Sequence, residues 1–186
     1  MKAGARALGI AESAAGEQSA LAGAVVRADR VAETFAFSTC TVGGMDATDA
    51  VVSVVEKIDR PDVEVVMLGA VAPAWYNIVD LSRIARTTDR SVLAVTFEAS
   101  DGLEDALSDA FSGDQLTERL ERYRSLPARR PVSVDDETVY VRAVGVSHSR
   151  AAEIVREFTP EGGRPEPIRV ARAAARAGRE YRFDAA

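Results

Sequence analysis

The run EVVMLGAV, Glu64–Val71, is apolar at nearly every position, and a strand of that kind has no face to offer to water. It predicts an interior strand covered on both sides. The flanking sequence agrees. Upstream, Gly43-Gly44 breaks a strand-like stretch, and Asp46 precedes a segment that places Ala50, Val51, Val54, Val55 and Ile58 on one helical face. Downstream, a helix is expected from Asn77 to Arg86, after which SVLAVTF, Ser91–Phe97, repeats the buried-strand pattern. Strands alternating with helices in this way imply parallel pairing through right-handed crossovers.

The amino-terminal part reads differently. Ala5–Ile10, Leu21–Arg27 and Val31–Val42 are successive strands separated by AESAAGEQSA and by the turn Ala28-Asp29-Arg30, an antiparallel meander. In the third, Phe35, Phe37, Thr39 and Thr41 share one face while Ala36, Ser38, Cys40 and Val42 share the other, which makes Cys40 a packing residue. After Phe97, helices are expected over Leu103–Phe111 and Gln115–Ser125. PVSVDDETVYVRAVGV reads as a hairpin turning at Asp135-Asp136-Glu137, followed by a helix over Ser149–Phe158 and another after Pro167 that ends near Gly178. Three antiparallel strands followed by helix and parallel strand in alternation is the order of ribonuclease H-like folds. The expected fold is therefore α/β, a mixed sheet of order 3-2-1-4-5 with helices on both faces and an extra carboxyl-terminal hairpin with helices. That order brings the ends of the first and fourth strands together, so GIAES and MLGAVAPAWYN are where chemistry is sought.

Composition bounds the possibilities. A chain of 186 residues that is 47% hydrophobic has material for one core, and no apolar stretch approaches the roughly 20 residues needed to span a bilayer. With no leader-like segment at the amino end, a cytoplasmic location without membrane attachment is expected. The single cysteine offers neither an internal disulfide nor a Cys/His zinc cluster. The basic residues are almost all arginine, only Lys2 and Lys57 being lysine, and the net charge is -6. This acidic, lysine-poor, alanine-rich composition resembles that of proteins from salt-loving archaea. Negative net charge argues mildly against nucleic acid as a partner, although a local basic face can still provide the footprint.

KAGARALGIAES, TVGGMDATDAVVSVV, VVMLGAVAPAWYNIVDL and PEPIRVAR, in this order and spacing, resemble the archaeal family catalogued as domain of unknown function ninety-nine (UPF0215 type), related to endonuclease V and to deoxyuridine endonucleases. The resemblance covers almost the whole chain, residues 1–186 forming one endonuclease V-like domain. It implies DNA repair: an endonuclease that cuts DNA, or RNA, beside a deaminated base such as deoxyuridine or deoxyinosine, using Mg²⁺ or Mn²⁺ held by carboxylates at the ends of strands one and four. The family pattern has an acid directly after the Gly-Ile of strand one and another in the strand-four block. Here those positions are Ala11 and Gly69, and neither can ligate a metal.

Neighbouring residues are the substitutes to weigh. Glu12 is either a metal-site residue or a solvated loop carboxylate; along a regular strand it would point away from the face of Ala11. Under the family scheme Glu12, Asp46 and Asp80 are the catalytic candidates, with Glu12, Asp46 and Asp49 as metal ligands. The plainer account gives Asp46 to a helix N-cap, Asp49 to its third position, and Asp80 to the same position of the helix capped by Asn77. In APAWYN, Trp75 and Tyr76 follow a buried strand and either stack on an unpaired base or cover the loop's own apolar underside. Arg169, Arg172, Arg176 and Arg179 share one face of the carboxyl-terminal helix and either track a nucleic-acid backbone or pair with the acidic surface of the protein itself. His148, the only histidine, falls in a turn before a helix. A catalytically degenerate module that binds nucleic acid without cutting it is the alternative function.

Overall fold

The computed structural model describes residues 4–160 and 162–184. Its centre is a seven-stranded mixed sheet: β1 (Arg6–Ala15), β2 (Gln18–Arg27), β3 (Ala32–Thr41), β4 (Val65–Leu68), β5 (Ser91–Thr96), β6 (Arg130–Val134) and β7 (Glu137–Val144), in the order β3-β2-β1-β4-β5-β7-β6. β1 runs antiparallel to β2 and parallel to β4, which is parallel to β5. The expected order 3-2-1-4-5 is present. The hairpin is more than an appendage, because β7 pairs antiparallel with β5 and carries the sheet two strands further.

On one face lie α1 (Ala47–Ile58), α3 (Leu81–Thr88), α4 (Glu104–Ala110) and α5 (Gly113–Arg124), and on the other α6 (His148–Glu157) and α7 (Glu166–Arg179). A short turn, α2 (Pro73–Tyr76), follows β4. α1 forms because its apolar residues recur at helical spacing, so Ala47, Ala50, Val51, Val54 and Ile58 are buried together. Its seam packs on Leu8 and Ile10 of β1 and Val66 and Leu68 of β4. The other residues of those strands, Ala7, Val65 and Met67, belong to the core beneath α6 and α7. Two-sided burial is what the continuous apolar run of β4 required. Cys40 is buried, and burial together with the charges of Asp46 and Glu12 pushes its thiol up to about 12.

Two differences from expectation position the site. AESAAGEQSA is not a linker: β1 continues to Ala15 and turns back through Gly16, whose φ of +58° closes the tight hairpin with β2. Glu12 is therefore inside a regular strand, opposite Leu21. The second is α7, whose start lies on the sheet itself. A Cβ on Gly9 would stand 2.0 Å from the carbonyl carbon and oxygen of Pro167, so helix backbone rests on strand backbone with nothing between. Among the described residues, no helix is long and apolar enough to cross a membrane.

Candidate functional site

β1 and β4 pair from Ala7–Val65 to Ile10–Leu68, and the Gly69 amide extends the ladder by donating to the Ile10 carbonyl at 3.1 Å. Beyond that bond the strands part: β1 stays with β2, while the chain after Gly69 turns away into α2. A cavity of about 190 Å³ opens in the gap, walled by Ala11, Glu12, Gly69 and Pro73, with Arg164 and Arg172 closing the α7 side. Open α/β sheets bind ligands at this kind of position, beyond the carboxyl ends of strands that diverge.

The acids foreseen as metal ligands are not gathered there. Glu12 continues the Leu8, Ile10 side of β1, as strand alternation demands, and its Oε2 accepts from the Ser19 hydroxyl at 2.5 Å. Ala11 is on the opposite side, against Ala24, Val26 and Ala171. Asp46 precedes α1 as foreseen but does not cap it with its side chain. Its carboxylate instead turns back to accept from the Thr41 amide at 3.1 Å, the Thr41 hydroxyl at 2.9 Å and Asn77 Nδ2 at 2.6 Å. Asp49 is exposed and ion-paired with Arg83 at 2.5 Å. Asp80 is itself the N-cap of α3, accepting from the Arg83 amide at 2.8 Å. The cap foreseen at Asn77 thus moves to Asp80, because Asn77 is fully buried and spent on the loop before α1. α6 is capped by Ser147, whose hydroxyl accepts from the Arg150 amide at 3.3 Å, so His148 is the first residue of that helix instead of part of the turn before it.

Mg²⁺ and Mn²⁺ need several oxygen ligands on one centre. Ala11 and Gly69 bring none, Glu12 is a single acid on the cavity wall and is engaged by Ser19, and among the described residues no group of three or more His, Cys, Asp or Glu side chains could hold a metal ion. The residues at these strand ends therefore do not fit a divalent cation. An acid at position 69 would in addition crowd Ile168, whose Cγ2 lies 3.0 Å from where its Cβ would stand.

The aromatic pair is where a ligand could use it. α2 is no ordinary helical turn: Ala74, Trp75 and Tyr76 have φ of +48°, +55° and +60°, conformations that cost L-residues about 1–3 kcal/mol each. They are held by their surroundings. The Gly43 amide donates to the Ala74 carbonyl at 2.7 Å, and the absence of a side chain on Gly43 admits the indole, since a Cβ there would lie 2.7 Å from Trp75 Cε3. Trp75 packs on Phe111 at 5.1 Å between ring centroids, yet it remains 56% exposed. Trp75 and Tyr76 border a second cavity of about 370 Å³, which also meets Phe97 and Tyr123 and shares Gly69, Ala70 and Arg164 with the first.

Among the described residues, some arginines are paired or fasten loops and others are exposed. On α7, Arg169 is paired with Glu166 at 2.5 Å and Arg179 with Glu180 at 3.5 Å, whereas Arg172 and Arg176 are exposed. Arg119, nearly buried, donates to the Gly43 carbonyl and lies 3.9 Å from the Phe111 centroid; Arg129 donates to the Glu98 carbonyl and stacks on Tyr140 at 3.9 Å. Both fasten loops. Arg164 was missed by sequence reasoning because it stands alone in Gly162-Gly163-Arg164-Pro165, outside any helical spacing. Its position directly before Pro165 and the start of α7 is the only signal it carried. His148, following β7 at the end where Val144 pairs with Val92, is at the opposite end of the strands from the cavity.

Asp46 has a measurable signature. Burial raises its carboxyl, but the hydrogen bonds from Asn77 and from the Thr41 amide and hydroxyl outweigh that and hold it below the ordinary carboxylate range. A depressed folded-state value contributes stability that is fully present above the unfolded carboxyl's range, near pH 4, and is lost as pH falls through the folded value. Denaturant midpoints of wild type and Asp46→Asn should therefore differ at pH 7 and converge toward pH 2. A constant gap would refute this role.

Comparisons with known proteins agree with the fold. The family described as Endonuclease dU matches residues 3–178. A UPF0215 protein of Pyrobaculum calidifontis is 37% identical over 168 residues, covering 88% of this chain and 90% of that protein. Among solved structures, a protein of unknown function from Archaeoglobus fulgidus superposes with a TM-score of 0.82 at 25% identity, covering 92% of this chain and 96% of that one. Endonuclease V of Ciona intestinalis, solved in complex with a 24mer DNA containing an inosine followed by a ribo-adenosine, superposes with a TM-score of 0.63 at 14% identity, over 96% of this chain and 87% of that one.

Proposed function

The chain belongs to the Endonuclease dU family and has the ribonuclease H-like fold of endonuclease V, and from that premise we propose that it binds nucleic acid at an unpaired base without metal-dependent hydrolysis of the strand. The observation that carries the reading is an exposed, rigidly held Trp75 bordering a cavity that adjoins the one at the strand ends, where a single acid, Glu12, stands against the several oxygen ligands a Mg²⁺ or Mn²⁺ centre needs. Trp75 and Tyr76 present π-faces to a base that has left its stack, DNA being the first partner to test and RNA the second. The strained turn beneath them supports this use, since a ring fixed in advance loses little freedom when a base arrives. An acidic, lysine-poor surface suits a salt-rich interior, in which stacking keeps its strength while phosphate attraction weakens.

Cleavage beside deoxyuridine or deoxyinosine is the second reading, favoured by the family's description. One experiment divides them. Duplexes that are plain, or carry a single deoxyuridine or deoxyinosine, are incubated with the protein in high potassium chloride with Mg²⁺, Mn²⁺ or chelator, and binding and nicking are scored together. Lesion-selective binding that is equal with metal and with chelator, without nicking, is the expected result; metal-dependent nicking at the lesion would replace the first reading with the second. Trp75→Ala should lower affinity for the lesion duplex roughly 5- to 150-fold, the value of about 1–3 kcal/mol per stacked base, with the folded state retained as checked by circular dichroism.

A further inference from the structure

We infer that the cavity between the ends of β1 and β4 is an anion site that takes one phosphoryl group of a nucleic-acid strand, at the position where family resemblance puts a divalent cation. The inference rests on the nucleic-acid reading above and adds to it a second, separable contact.

Three features of the cavity point the same way. Its floor carries no charge on the α7 side, where Ala11 and Gly69 stand. Its α7 wall carries two guanidinium groups, Arg164 and Arg172, and among the described residues neither hydrogen-bonds to or forms an ion pair with a carboxylate. Arg164 is also held in place, with its guanidinium carbon 4.3 Å from the centroid of the Phe97 ring. A planar guanidinium fixed by an aromatic face presents its fork of N–H donors at low entropic cost, and that fork matches a tetrahedral oxyanion.

The charges around this pair are unbalanced. Burial, and then the neighbouring positive charge of Arg172, lower the Arg164 pKa, and Glu98 offsets this only in part. Two cations that repel each other beside an opening gain from any anion placed between them. The one acid on the cavity wall, Glu12, is engaged by Ser19; its charge weakens the site without filling it. Because Arg164 borders both cavities, a phosphoryl group beside it leaves the attached nucleoside next to the aromatic cavity of Trp75 and Tyr76. A single nucleotide unit thus spans both.

The test uses calorimetric titration of the full chain at low salt with four probes: inorganic phosphate, thymidine, and thymidine 5′- and 3′-monophosphate. At least one monophosphate should bind at least 10-fold more tightly than thymidine, and Arg164→Ala/Arg172→Ala, both at exposed positions, should abolish that increment. Glu12→Gln should increase it. Trp75→Ala should weaken thymidine and its monophosphates equally and leave the increment intact. An increment that survives the double substitution, or no increment at all, overturns the anion site. Inorganic phosphate binding as tightly as the better monophosphate would overturn its assignment to a strand. Loss of thymidine binding as a whole, with an arginine-dependent phosphate signal retained, would sink the base-stacking reading and leave the anion site standing, so the two failures are distinguishable. Manganese that strengthens phosphate binding in the wild type would also overturn the inference, since it would make the cavity a cation centre.

Discussion

Gly9→Ala is expected to destabilise the protein by about 3 kcal/mol, the upper part of the ordinary range for overpacking a filled interior. In a chain of this size that is a fall in melting temperature of roughly 6–12 °C. The reason is geometric. The new methyl would stand 2.0 Å from the carbonyl carbon and oxygen of Pro167 and 2.6 Å from the Ile168 nitrogen, and all three are backbone atoms with no rotamer in which to retreat. α7 must lift from β1, opening the packing of Ile168 and Ala171, both now buried. Gly4→Ala is the control: nothing lies within 4 Å of its added Cβ, so its effect should stay within about 0.5 kcal/mol. Differential scanning calorimetry of the two variants gives the answer, and equal melting temperatures would contradict the backbone contact. Because Arg172 rides on α7 and Arg164 precedes it, Gly9→Ala should also weaken binding of the monophosphates.

Asn77→Ala is expected to cost about as much, roughly 3 kcal/mol, because it orphans the buried Ala47 amide and removes a donor from two partly buried acceptors at once, a buried group left unsatisfied costing about 1–3 kcal/mol. Asn77 is fully buried; its Oδ1 accepts from the Ala47 amide at 2.9 Å, and its Nδ2 donates to the Thr41 carbonyl at 2.9 Å and to Asp46 at 2.6 Å. The side chain therefore joins the end of β3, the loop before α1 and the first amide of that helix to the chain after α2. Asn77→Asp is the sharper experiment. It sets a second carboxylate against Asp46, and a like-charged pair raises the folded-state pKa of the couple above the unfolded value. Stability should thus improve as pH falls and one proton is taken up, opposite in sign to the wild-type dependence on Asp46. Denaturant unfolding of both variants between pH 4 and pH 7 tests this; an Asn77→Asp deficit that does not shrink on acidification would refute it.

Much of the sheet was legible because its strands are long apolar runs of unambiguous period, and β4 and β5 could hardly face water on either side. The end of β1 was not. Ala11 to Gly16 is small and polar, which reads as a loop, and only pairing with β2 keeps it extended. That single boundary decides where Glu12 points. The partner of the hairpin was equally hidden, since β7 meets β5 across a long stretch of chain and local sequence does not encode which edge a hairpin will join. At the site, capping chemistry correctly drew attention to Asp46 and Asp80 but assigned their partners by sequence spacing alone. Thr41, five residues earlier at the end of β3, and Asn77, from beyond β4, take Asp46 over. Arg164 has no periodic neighbours, and its meaning comes wholly from where the start of α7 is laid.

That start has a consequence for how the protein is made. The contact between residue 9 and residue 167 means that a growing polypeptide can assemble the meander and the parallel strands while the ribosome is still far from completing α7. Until α7 emerges, the small side chains and glycines along that face of β1 and β2 have no cover, and a holding chaperone would find an apolar surface there. The cavity whose α7 side is closed by Arg164 and Arg172 is therefore complete only once that helix has docked.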